Sequence, residues 1–161
     1  MKEIFKKHLI KIIIAVVVLA LLIGGLLFYR FITGKTPIDA DTFISVMEIR
    51  GYEIEDVTES FEQGIEVALI ASKDNIEVFF IIYENERYAI TNYNHLKNLF
   101  KNFMGNSSST STMNFSRWQR YKQRSGRSLA VVSRIENTII YAVVEDSYRS
   151  EINNIIKEFN Y

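Results

Sequence analysis

The chain of 161 residues contains no cysteine, which excludes a disulfide framework, a thiolate metal site and a lipid-modified cysteine. Whatever folds must hold itself by packing. Histidine is nearly absent too: His8 lies before a long apolar run, so His95 is the one imidazole after it. A catalytic triad or a multi-histidine metal site therefore has little to draw on. Acidic side chains are missing from one long stretch. From Arg87 to Arg134 there are nine basic and no acidic residues, whereas Thr36 to Glu86 holds thirteen acidic against two basic, and Ile135 to Tyr161 five acidic against two basic. The net charge of zero conceals a segregation of sign along the chain.

What is present begins with Ile12 to Tyr29, IIIAVVVLALLIGGLLFY, an apolar run without a charge. As a helix it would rise roughly 27 Å, close to the hydrocarbon thickness of a bilayer, and its side chains would favour insertion by about 4 to 8 kcal/mol. Lys2, Lys6, Lys7 and Lys11 precede it. The positive-inside rule then predicts a cytoplasmic basic flank over 1–11, a transmembrane helix over 12–32 with the lipid bilayer as its partner, a linker over 33–40 and an extracytoplasmic domain over 41–161. That makes a single-pass protein of the cell membrane, N-terminus inside. A cleaved signal peptide shares the basic start, but residues 30–35 (RFITGK) offer no small-x-small cleavage site.

The remaining length suits one domain with a single core. Asp41 or Thr42 can cap a short helix carrying Phe43 and Met47, which Gly51 stops. Strand periodicity follows at Tyr52 to Val57, Ile65 to Ala71 and Ile76 to Tyr83, the last two separated by the turn-forming Ser72-Lys73-Asp74-Asn75. Tyr88 to Met104 returns to helical spacing through Ala89, Tyr93, Leu96, Phe100 and Phe103. Asn106 to Thr112 (NSSSTST) reads as a surface loop, Met113 to Arg124, Ser128 to Ile135 and Thr138 to Val144 as strands, and the end as a helix burying Tyr148, Ile152, Ile155, Ile156 and Phe159. The fold class expected is α+β: an N-terminal transmembrane helix, then an antiparallel sheet of five or six strands packed with helices. Phe80, Ile82, Ile140, Val143, Phe100 and Ile155 are expected to meet in its core.

An offset of 62 places Val67 on Leu129 and aligns ALIASKDN with AVVSRIEN, then IEVFFIIYEN with TIIYAVVEDS, without a gap. Either a β-β-β-α unit is duplicated or any two hairpin-helix segments align this well. The segments FISVMEIRGYEIEDVT and VSRIENTIIYA and the terminal helix resemble small single-pass membrane proteins of clostridial and related Gram-positive bacteria that carry an extracytoplasmic α+β domain. The resemblance implies location and fold type and transfers no site residue.

Candidate sites are few. Among polar neighbours, His95 suits a solvated helix face. The acidic group Glu53, Glu55, Asp56, Glu59, Glu62 and Glu66 lacks calcium-loop spacing and suits the wet face of a strand. No catalytic, cofactor or metal residue is assigned. The basic segment RWQRYKQR is more specific: strand alternation puts Trp118, Arg120, Lys122 and Arg124 on one face. Cations beside an aromatic ring suit phosphate-rich polymers or lipid head groups. The alternative is that this strand pairs with the acidic half. The function expected is a non-catalytic binding or interaction module. Its ligand would be an anionic envelope polymer or lipid head groups, or its partner another membrane protein, with nucleic acid excluded by export. The rival classes are a structural subunit of a membrane complex and an envelope enzyme.

Overall fold

The structure, a computed structural model, describes residues 16–30, 34–61, 64–105 and 109–161. The chain divides into two compact units, Met1–Gly34 and Lys35–Tyr161.

In the first unit residues 16–30 are helical. The transmembrane helix expected over 12–32 is corrected here: among the described residues no helix is long and apolar enough to cross a membrane. The single-pass topology, the inside N-terminus and the cell-membrane location were inferred from that span and fall with it. Residues 1–15 and 31–33, which include the basic flank, lie outside the described residues.

The second unit runs α1 (Ala40–Ile49), β1 (Glu53–Asp56), β2 (Ile65–Lys73), β3 (Ile76–Tyr83), α2 (Glu86–Met104), β4 (Ser109–Asn114), β5 (Trp118–Ser125), β6 (Ser128–Ile135), β7 (Thr138–Glu145) and α3 (Arg149–Glu158). Local chemistry sets the boundaries. Asp39 Oδ1 accepts from the Thr42 amide at 2.8 Å and so caps α1, and Asn85 caps α2 through the Tyr88 amide at 3.1 Å. At the end of α1, Gly51 takes φ 79° and the Tyr52 amide reaches back to the Met47 carbonyl at 3.0 Å, a termination that needs a residue without Cβ strain. The two-residue turn after β2 begins at Asp74 with φ 52° and the turn after β6 at Glu136 with φ 50°, the positive φ that tight hairpins require.

All seven strands are antiparallel in one sheet, in the order β1-β2-β3-β7-β6-β5-β4. The expectation of five or six strands is corrected to seven. The additional strand is β4, where a loop was expected. Every residue of β4 is exposed, so its Ser/Thr sequence carries no burial period, and it becomes a strand by pairing with β5. Residues 106–108 of that expected loop lie outside the described residues.

The sheet carries helices on both faces, and each face has its own core. On the first, Phe43 and Met47 of α1 and Ile152, Ile155 and Ile156 of α3 pack on Leu69, Phe80, Val131 and Ile140, with the Phe43 and Phe80 rings stacked at 4.8 Å. On the second, Ala89, Tyr93 and Phe100 of α2 pack on Ala68, Ile81, Tyr121, Val132 and Ile139. The single core expected is therefore two. Phe80, Ile140 and Ile155 meet in the first, Phe100 sits in the second, and Val143 is 41% exposed.

The β-β-β-α reading is also corrected. Two three-stranded meanders, β1-β2-β3 and β5-β6-β7, join through β3 and β7, and Phe79 lies opposite Tyr141, its partner under the offset of 62. A rotation about an axis normal to the sheet at that pair would leave both following helices on one face. Instead α2 covers the second face and α3 the first.

Candidate anion site

Alternation along β5 sends Trp118, Arg120, Lys122 and Arg124 to the first face and Tyr121 and Gln123 to the second. The sheet order decides what can meet them. β5 lies between β4 and β6, whereas the acidic strand β1 forms the opposite edge, so the basic strand does not pair with the acidic half.

Three elements converge on the β5 cations. β4 places Met113 opposite Arg120 and Ser111 opposite Lys122. α3 and the residues after it supply Asn153, Ile156, Lys157, Asn160 and Tyr161, and the extended segment before α1 supplies Lys35. Together they line a half-open cavity of about 380 Å³, whose lining includes Lys35, Arg120, Lys122 and Lys157 and no Asp or Glu side chain.

The cations are held in different ways. Lys35 Nζ donates to the Asn160 carbonyl and lies 4.6 Å from the centre of the Trp118 ring. Lys122 Nζ donates to Asn153 Oδ1 at 2.8 Å. Arg120 has a buried Nε with no hydrogen-bond partner and, among the described residues, forms no ion pair. Burial, and then the Arg120 guanidinium, lower the Lys35 ammonium to about 8. Burial lowers Arg120, and burial with the positive charges of Arg149 and Arg120 lowers Lys122 against a weaker opposing pull from Asp146. Each shift says that the charged form is under-solvated, a deficit that an anion would relieve.

Of the four residues that alternation singled out, Arg120 and Lys122 line the cavity. Trp118 is 1% exposed and forms the floor under Lys35, packed against Phe115 at 4.6 Å. Arg124 turns to an ion pair with Asp146 at 2.7 Å. Sequence reasoning missed Lys35, Lys157, Asn153 and Asn160. The last three recur at i, i+4 and i+7, a polar stripe beside the apolar face of α3, which was a legible signal. Nothing local marks Lys35.

Elsewhere His95 is exposed on α2, as are Glu53, Glu55, Asp56, Glu59 and Glu66, while Glu62 lies outside the described residues. Among the described residues no three His, Asp or Glu side chains are grouped to hold a metal ion.

No family model and no curated protein matches the chain. Among solved structures it is similar to the crystal structure of a GTP-binding regulator from Thermotoga maritima, at 17% identity over 73% of this chain and 84% of that one, with a TM-score of 0.41. A likeness that distant carries neither fold nor ligand across.

Proposed function

We propose that the Lys35–Tyr161 unit is a non-catalytic binding module that takes a compact anionic group, phosphate above all, into this cavity. The observation that carries the reading is a lining of four cations without an Asp or Glu side chain, one of them a guanidinium whose buried Nε lacks a hydrogen-bond partner. Arg120 is half-buried, and its unpartnered Nε is a donor that an anion can satisfy. Guanidinium and ammonium donors at fixed positions suit phosphate oxygens. The non-catalytic part rests on the same lining: it holds no His, Asp or Glu side chain to move a proton, and burial pushes the Tyr161 phenol up to about 12, away from neutral acid-base work. Without the span, export no longer excludes nucleic acid. What disfavours it is that the cavity's aromatic neighbours, Trp118 and Tyr161, are 1% and 0% exposed and present no stacking platform.

The chain has one tryptophan, and it lies under Lys35, so its emission reports on the site. Adding inorganic phosphate to the full chain should change Trp118 fluorescence saturably, with calorimetry giving the same affinity. Binding should weaken as salt rises, and Arg120→Gln or Lys122→Gln should weaken it at least about tenfold while leaving the urea midpoint nearly unchanged. Absence of both heat and fluorescence change at millimolar phosphate would overturn the reading.

A further inference from the structure

Three of the four cations lining this cavity form a row, with Lys157 of α3 as the fourth. Arg120 and Lys122 are two residues apart on β5, hence about 6.6 Å apart along the strand and on the same face. Lys35 lies beyond the Arg120 end, over Trp118, and the positive charge of Arg120 acts on it. Beyond the Lys122 end the positive charge of Arg149, in the first turn of α3, acts on Lys122. The repulsive pairs therefore run Lys35 to Arg120, Arg120 to Lys122, Lys122 to Arg149. The row ends where Asp146 pairs with Arg124.

A single tetrahedral anion can neutralise two neighbours in such a row and leaves the others facing each other. A chain of anions in register with the row neutralises all of them. The two flanking ammoniums are also tethered in advance, Lys122 by Asn153 Oδ1 and Lys35 by the Asn160 carbonyl, with the unsatisfied Nε of Arg120 between them. This lowers the ordering cost of binding an extended ligand.

On the reading that the cavity binds phosphate, we propose that its ligand is a linear oligophosphate lying along β5 from Lys35 to Arg149. Phosphates in such a chain lie about half as far apart as the strand cations, so alternate phosphates meet successive cations, and the affinity comes from the number of groups engaged. The buried aromatics leave charge as the only means of recognition, so a nucleic acid strand gains nothing from its bases here.

The test titrates the full chain at fixed ionic strength with orthophosphate, pyrophosphate, tripolyphosphate and long-chain polyphosphate, following Trp118 emission and heat. Affinity should climb from orthophosphate to tripolyphosphate, which reaches two neighbouring strand cations, and climb again to long-chain polyphosphate, which reaches the whole row. The slope of log K against log salt should steepen by about 0.7 for each further phosphate engaged. Arg149 is exposed and outside the cavity lining, so Arg149→Gln should weaken long-chain polyphosphate severalfold and leave orthophosphate unchanged. Equal affinities for orthophosphate and long-chain polyphosphate, or an Arg149→Gln effect equal on both, would overturn the oligophosphate while leaving phosphate binding intact. Binding of none of the four would remove both readings. Tighter binding of oligothymidylate, or of vesicles containing phosphatidylglycerol, than of tripolyphosphate would overturn the proposal in favour of nucleic acid or of lipid head groups.

Discussion

Two residues carry charge into places where solvent cannot serve it, and they resolve the problem in opposite ways. Arg134 on β6 is 1% exposed, yet every branch of its guanidinium has a partner: Gln119 Oε1 at 2.8 Å, Glu86 Oε1 at 2.9 Å, and the carbonyls of Glu136 at 2.7 Å and Ser116 at 2.8 Å. It stitches β5, β6 and two turns to the start of α2. Removing it strands those acceptors, so Arg134→Ala should lower stability by about 3 to 5 kcal/mol. Arg134→Lys should recover little, because an ammonium cannot span the same acceptors. Glu86 is half exposed, and Glu86→Gln should cost below about 1 kcal/mol. Urea midpoints decide the order. Lys35 is the opposite case, a cation left short of solvent with a folded-state value of about 8 against an ordinary 10.5. Between those values the unfolded chain binds more protons than the folded one, so the Lys35 contribution to stability rises with pH there. Lys35→Met should therefore be more stable than wild type at pH 7, by a margin that shrinks toward pH 9.5. Phosphate affinity should move the other way, falling as pH rises through about 8, because the anion binds the ammonium form.

Among the elements, the central strands and the edge strands obey different rules. β3 and β7 pair with each other in the middle of the sheet and are covered on both faces, whereas β4 is paired on one side only and exposed along its whole length. Amide exchange should be slowest in β3 and β7 and, among the strands, fastest in β4. Burial within one strand also varies by face. Ile140→Ala and Phe80→Ala each open a hole in the first core and should cost about 2 to 5 kcal/mol. Val143→Ala, on the same strand as Ile140 but 41% exposed, should cost no more than about 0.5 kcal/mol. A larger loss at Val143 than at Ile140 in urea titrations would reverse the assignment of the core.

For the molecule as a whole, the decisive feature is that one sheet serves two cores. Strands β3, β6 and β7 contribute side chains to both, so loosening either side loosens the other. The unit comprising residues 35–161, produced alone, should unfold in one urea transition. Phe43→Ala on the first face and Phe100→Ala on the second should each shift that same transition rather than split it. Two separate transitions would show that the faces fold independently. The segregation of charge along the chain also becomes spatial at this scale, with acidic β1 at one edge of the sheet and basic β5 beside the other, which leaves Arg120 without an ion-pair partner among the described residues.

The α+β class, the helices α1, α2 and α3 with their apolar stripes, and the hairpins at Asp74 and Glu136 were legible because each rests on contacts or torsions a few residues long. So was the shared face of Arg120 and Lys122, which follows from strand alternation alone. β4 was not, since an exposed edge strand has no hydrophobic period and exists through its register with β5. Nor was the division into two cores, because periodicity says that a stripe is buried and not which side of the sheet buries it. The apolar run was legible as apolar, but among the described residues it supplies no helix long and apolar enough to cross a membrane. The cavity was beyond reach for a physical reason: Lys35 and Asn160 are 125 residues apart and touch, and only the closing of α3 over β5 brings Lys35 and Lys157 to cations that the strand had already aligned.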